Sequence, residues 1–135
     1  MHFDLVDRVV ELHEDRIQTV KCVTQAEEYL GDHFPKFPIL PGVMMLEAMV
    51  QAARRLLVER HGLGVALELA DVRNVRYAGM VRPGQALHVE VTLRGQDEGG
   101  YEFAGKGLLD NRPVVQGRFR LCPAVPDGAR PSKPL

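Results

Sequence analysis

A histidine and a carboxylate, His33 and Glu47, stand 14 residues apart across a loop that holds three prolines. The stretch reads His33-Phe34-Pro35-Lys36-Phe37-Pro38-Ile39-Leu40-Pro41-Gly42-Val43-Met44-Met45-Leu46-Glu47. Histidine accepts a proton near neutral pH. Pro35, Pro38 and Pro41 each fix a backbone angle, and a stiffened loop preorganises a base. Gly42 opens an apolar helix. Its N–H is among the donors left unpaired at a helix start, and a missing side chain lets a ligand oxygen come close. Glu47 lies just over a turn further in, inside the most apolar run of the chain, where a carboxylate seldom stands without a partner. Desolvation favours the protonated carboxyl, the form that acts as an acid. A base, an acid and helix N-terminal donors within one segment suit proton chemistry beside a carbonyl.

Each part also has a plainer reading. A single histidine in a polar loop is more often a surface residue than a catalyst. Glu47, Gln51 and Arg54 recur on one helix face and form the solvated stripe of an amphipathic helix equally well. On that face Gln51 is placed to hydrogen-bond Glu47. Pro41-Gly42 also serves as a simple turn into a helix. Other chemistries find less support. Ser132 is the only serine and lies in the C-terminal tail, which argues against a Ser-His-Asp hydrolase. Neither the dinucleotide-binding nor the phosphate-loop glycine motif is present.

The elements that must position this segment follow from pattern. A chain of 135 residues argues for one domain. Its 45% hydrophobic and 26% charged residues are the balance of a soluble globular protein. A net charge of −1 gives no electrostatic case for nucleic acid, and without Trp there is little to stack on bases. Cys22 and Cys122 lack metal-ligand spacing and read as half-buried strand thiols. Met1–Arg8 lacks the basic and apolar regions of a signal peptide, and no run is long enough to span a membrane, so a cytoplasmic location is expected. Leu5–Leu12 and Arg16–Val23 read as a hairpin turning at Glu14-Asp15. Thr24–Pro41 reads as mostly irregular, with a capping box at Thr24 and Glu27. Gly42–Arg60 is the one long helix, largely buried, stopped by His61-Gly62 and Gly64. Val65–Tyr77, interrupted at Asn74, begins a β-rich half. Arg82-Pro83-Gly84-Gln85 reads as a turn, Leu87 to Leu93 alternate as a strand, Gly99-Gly100 turns into Tyr101–Leu109, and Asp110-Asn111 turns into Val114–Leu121. Strands, one helix and more strands predict an α+β domain over residues 1–122, its antiparallel sheet wrapped around the helix. Residues 123–135 read as a poorly ordered tail.

At the His33–Glu47 segment the chain resembles the β-hydroxyacyl-acyl-carrier-protein dehydratases, the FabZ and FabA class. That family carries His-Phe-Pro-Gly-x-Pro-x-x-Pro-Gly and an acidic residue five positions later, where Glu47 falls. Glu matches the FabZ branch, in which the FabA branch has Asp. The likeness runs from about residue 4 to 122 and includes Leu5–Val9, Thr24-x-x-Glu27-x-Tyr29, Val75-Arg76-Tyr77, Val81-x-Pro83-Gly84 and the Gly105 to Val115 hairpin. The resemblance implies a hot-dog fold and a homodimer or trimer of dimers. Each site would take His33 from one chain and Glu47 from the other. His33 would remove the C2 proton of a (3R)-hydroxyacyl thioester, Glu47 would protonate the leaving hydroxyl, and the Gly42 N–H would hold the thioester oxygen. Gly42, Val43, Gln51, Phe34 and Phe37 would contact substrate. No metal or cofactor is implied. The acyl-pantetheine would arrive on acyl carrier protein or coenzyme A, with Lys36, Arg76 and Arg82 as candidate contacts for an acidic carrier. Membrane and nucleic acid are not implied partners.

The chain departs from the pattern at two places. Lys36 replaces the Gly after His-Phe-Pro, and Phe37 stands where a small or polar residue is common. Two other functions stay open: a hot-dog thioesterase using a helix carboxylate to activate water, and a non-catalytic acyl-binding module.

Overall fold

The computed structural model describes residues 4–24, 42–62 and 67–123. Among the described residues, six strands and one helix follow in the order β1 (Arg8–Leu12), β2 (Arg16–Cys22), α1 (Gly42–His61), β3 (Leu67–Tyr77), β4 (Ala86–Asp97), β5 (Gly100–Leu109) and β6 (Arg112–Pro123). The strands form one antiparallel sheet in the order β1-β2-β4-β5-β6-β3. The helix packs against β2 through β6. This is the single sheet on a single long helix that the pattern predicts. The capping box, the loop prolines, Gly64 and the tail beyond Pro123 lie outside the described residues.

The helix forms because apolar residues cover most of its circumference. Met45, Ala48, Met49, Val50, Ala52, Ala53, Leu56 and Leu57 are all buried. Gly62, at φ +64°, ends it in the left-handed conformation common after a last helical turn. Side chains from the facing strands complete the core: Ile17, Leu87, Val89, Val91, Phe103, Val115, Phe119 and Leu121. The period-2 alternation of β4 sends Leu87, Val89 and Val91 inward and leaves their neighbours on the outer face.

Turn chemistry fixes the registers. Gly84 takes φ +92° and the Gln85 N–H donates to the Arg82 carbonyl at 3.1 Å, a turn of the expected kind. Asp110 and Asn111 both have positive φ, 50° and 64°, as a two-residue hairpin requires. The bend at Glu14-Asp15 is closed by the His13 N–H on the Arg16 carbonyl at 2.8 Å. Several boundaries differ from the sequence reading. β1 starts at Arg8 rather than Leu5, where the Asp7 carboxylate accepts from the Cys22 N–H at 2.7 Å on the surface. The β4–β5 turn is Glu98-Gly99, with Asp97 Oδ1 accepting from the Gly99 and Gly100 N–H groups, so β5 already starts at Gly100. The final strand extends to Arg112–Pro123, and the helix reaches His61. Asn74, at φ +56°, does not end β3; it sits in a bulge against β6 between Arg73 and Arg76. Of the two thiols, Cys122 is half-buried and Cys22 is exposed.

Asp97 also pairs with Arg120 across the sheet. That hydrogen bond, reinforced by the Gly99 N–H, holds the Asp97 carboxyl below its ordinary value, and the same contact raises the Arg120 guanidinium. A depressed carboxylate adds stability that is complete above its unfolded value near 3.8 and is lost as pH falls through the lower folded value. Asp97→Asn is therefore expected to lower the melting temperature slightly at neutral pH, with the two profiles converging below about pH 4 as wild type loses the contribution, so that the variant's acid limb is flatter. An acid limb identical to wild type would contradict this pairing.

Candidate active site

The helix is held at three points along its length, and these points place its polar face. At its C-terminal end, Arg60 donates to the Leu12 carbonyl at 3.2 Å and His61 Nε2 lies 2.9 Å from the Glu14 carbonyl oxygen. In the middle, Arg54 Nε donates to the Leu67 carbonyl at 3.1 Å, which ties the helix to the start of β3. At the N-terminal end, the Tyr77 ring lies against Gly42. A Cβ at Gly42 would stand 3.0 Å from Tyr77 Cε1. β3 therefore runs back along α1 from Arg54 to the helix start.

The expected polar stripe forms between these anchors. Gln51 Nε2 donates to Glu47 Oε1 at 3.4 Å, a long contact, and Arg54 Nη1 lies 3.5 Å from the same oxygen. The Leu5 N–H donates to Gln51 Oε1 at 2.8 Å, which fixes the amide so that its NH₂ faces the carboxylate. Glu47 is only partly buried in the single chain. Its side chain is 38% exposed, because the helix turns this face away from the sheet. The carboxylate thus stands at the rim of the core, positioned by an amide and a guanidinium.

Gly42 is the first helical residue, and the first turn of α1 holds no acidic residue. Among the described residues, no carboxylate in that turn compensates the positive end of the helix dipole, which suits an oxygen carrying negative charge. Val43 is 63% exposed beside it. Sequence reasoning singled out Gly42 for close approach by a ligand. The structure shows that the space on its Cβ side belongs to the Tyr77 ring, which becomes one wall of the helix start. Burial pushes the Tyr77 hydroxyl above its ordinary value, so it stays protonated and neutral. Tyr77 was legible only as part of a matching family segment; nothing in its local pattern pointed toward Gly42.

Of the other residues singled out, Arg76 and Arg82 are exposed, Arg76 on β3 beside Tyr77 and Arg82 in the β3–β4 connection. His33, Phe34, Lys36 and Phe37 lie outside the described residues. Among the described residues no helix is long and apolar enough to cross a membrane.

The pattern of the FabA-like domain matches residues 1–118. The chain is 38% identical over 126 residues to the 3-hydroxyacyl-acyl-carrier-protein dehydratase FabZ of Rhizorhabdus wittichii, covering 90% of this chain and 80% of the relative. It is 39% identical over 118 residues to the enzyme of the same name from Actinobacillus pleuropneumoniae, covering 84% and 77%. Among solved structures, the dehydratase heterocomplex ApeI:P from Xenorhabdus doucetiae superposes with a TM-score of 0.75 at 22% identity, over 90% of this chain and 84% of that one. That last likeness concerns the fold, a hot-dog sheet around a central helix. With a FabA-like match over residues 1–118 and relatives about 40% identical along most of their length, the chain belongs to the FabA-like family.

Proposed function

We propose that the protein removes water from (3R)-hydroxyacyl thioesters to give trans-2-enoyl thioesters in acyl-chain biosynthesis. The observation that carries this reading is the near full-length likeness to 3-hydroxyacyl-acyl-carrier-protein dehydratases in a chain that keeps both His33 and Glu47.

The chemistry balances on this chain's own residues. The His33 imidazole takes the C2 proton, and its electron pair becomes the C2–C3 double bond as the C3–O bond breaks. The hydroxyl leaves as water with a proton from Glu47. Charge that builds on the thioester oxygen meets the Gly42 N–H at the helix N-terminus. Gln51 and Arg54 hold the Glu47 carboxyl in place, while Phe34, Phe37 and Val43 border the acyl-pantetheine. His33 and Glu47 come from different chains of a homodimer, singly or as a trimer of dimers. The outer edge of β3 has no strand partner among the described residues and is the kind of edge on which a second copy pairs. The acyl group arrives on acyl carrier protein or coenzyme A in the cytoplasm.

Hydration of a crotonyl thioester, followed by loss of enoyl absorbance with a thiol reagent present, tests this reading. Absorbance should fall without thiol release. Release of free thiol would favour the thioesterase reading, and neither change on carrier-linked or coenzyme A substrate would favour the non-catalytic one.

The Tyr77 wall gives a second test. Gly42→Val should press on the Tyr77 ring and lower kcat/KM by about 10²-fold, as small misplacements at a reacting centre do, with the fold retained. Adding Tyr77→Ala should recover part of that loss. No recovery would mean that the ring is not what the new side chain displaces.

A further inference from the structure

The sheet face turned away from the helix carries a second feature that the proposed chemistry does not use. Strand alternation puts Glu90, Thr92, Ala104, Lys106, Gln116 and Arg118 on this outer face, opposite the buried Val89, Val91, Phe103, Val115 and Phe119. Arg76 of β3 pairs in register with Gln116, which pairs with Lys106, and Arg118 pairs with Ala104 one step along. Arg94 joins them from the bulge between Leu93 and Gly95. Together they border an open cleft of about 590 Å³ whose floor is made of Ala104, Gly105 and Gly117.

Charge in this cleft is uneven. Arg76, Arg94, Lys106 and Arg118 make no ion pair or side-chain hydrogen bond among the described residues. One carboxylate, Glu90, lies inside, and Gln18 Nε2 already donates to it at 3.2 Å. The neighbouring arginines are treated differently. Arg73 pairs with Asp71 at 3.1 Å and Glu102 at 2.8 Å, and Arg120 pairs with Asp97 and Glu102. In a chain of net charge −1, four cations crowd one small-floored cleft and repel one another. Guanidinium groups bind phosphate oxygens two at a time, and adjacent strands about 4.8 Å apart set such groups at the span of linked phosphates.

We infer that this cleft binds a small anion carrying two or more linked phosphate groups, with Arg76, Arg94, Lys106 and Arg118 as its ligands. Size and surroundings favour a small ligand over an extended acidic protein face. The volume lies in the range of small-molecule sites. On the same face along the neighbouring register, Arg73 and Arg120 are already paired with Asp71, Asp97 and Glu102, so that flank offers an extended acidic surface no unpaired arginine of its own.

Calorimetric titration of the full chain with inorganic pyrophosphate and with ADP tests the inference, with inorganic phosphate and a short polyglutamate peptide as comparisons. Pyrophosphate or ADP should bind at least about tenfold tighter than phosphate, and binding should weaken as salt rises. The double variant Arg76→Gln/Arg118→Gln should lower that affinity by about tenfold or more, while Arg73→Gln, outside the cleft, should not. Both variants change exposed side chains, so retained melting temperatures will show that the fold is intact. Pyrophosphate and ADP binding no tighter than phosphate, or insensitive to the double variant, would overturn the inference. Polyglutamate binding that needs Arg76 and Arg118 where pyrophosphate fails would assign the face to an acidic protein instead.

Discussion

Replacing His33 by Ala, or Glu47 by Gln, is expected to lower kcat for enoyl thioester hydration by roughly 10²–10⁴-fold, the usual contribution of a positioned acid or base. Both substitutions remove a proton carrier and spare the fold. Glu47 is 38% exposed at the rim of the core, and a glutamine of the same shape can still accept from Gln51 and Arg54. The loss should therefore fall on kcat, with melting temperature close to wild type and KM changed little. A pH profile should sharpen the assignment, since the limb due to the missing group should vanish from each variant. A loss under tenfold for His33→Ala would remove the histidine from the chemistry and bring back the thioesterase reading, which needs only the helix carboxylate.

The largest effect on stability is expected far from that chemistry, at Phe103. This side chain is 1% exposed, and its ring stacks on Phe119 with centroids 5.4 Å apart. It lies on the inner face of β5, two residues from Gly105, over which Met49 of the helix packs so closely that a Cβ there would meet its sulfur. Phe103→Ala removes the ring and leaves a cavity that two rigid strands and a helix cannot close. The cost should be about 3–5 kcal/mol, a large share of the stability of a domain this size. Urea unfolding should show a lower midpoint at an unchanged slope. A cost below about 1 kcal/mol would mean that the core repacks around the gap, against the close packing of helix on sheet.

Much of this architecture was legible in the sequence because two periods are written plainly. The apolar residues of 42–61 cover a full helix, and Leu87, Val89 and Val91 alternate as a strand must. Gly84 and the Asp110-Asn111 pair marked turns because few other residues accept positive φ. The boundaries that shifted were set by side-chain bonds to backbone, Asp7 on the Cys22 N–H and Asp97 on the Gly99 N–H, which local pattern does not encode. The same limit applied at the site. The Glu47–Gln51 contact follows from helical spacing and was anticipated. The Tyr77 wall at Gly42 and the anchoring of Gln51 by the Leu5 N–H join residues 35 and 46 positions apart and depend on how β3 and the N-terminal segment return to the helix. Of the two readings open for Glu47, a buried acid or part of a solvated stripe, helical geometry favours the second, with Glu47 38% exposed on the face it shares with Gln51 and Arg54.

The division of His33 and Glu47 between chains is tested most directly by mixing two inactive proteins. Equal amounts of His33→Ala and Glu47→Gln subunits, allowed to exchange, should return about one quarter of wild-type activity, since half of randomly formed dimers are mixed and each holds one intact site. Mass spectrometry of the mixture would establish that exchange has occurred. Recovery near one quarter is the result expected of a site that takes its base from one chain and its acid from the other. A mixture that stays inactive after confirmed exchange would contradict it and place both groups in the same chain.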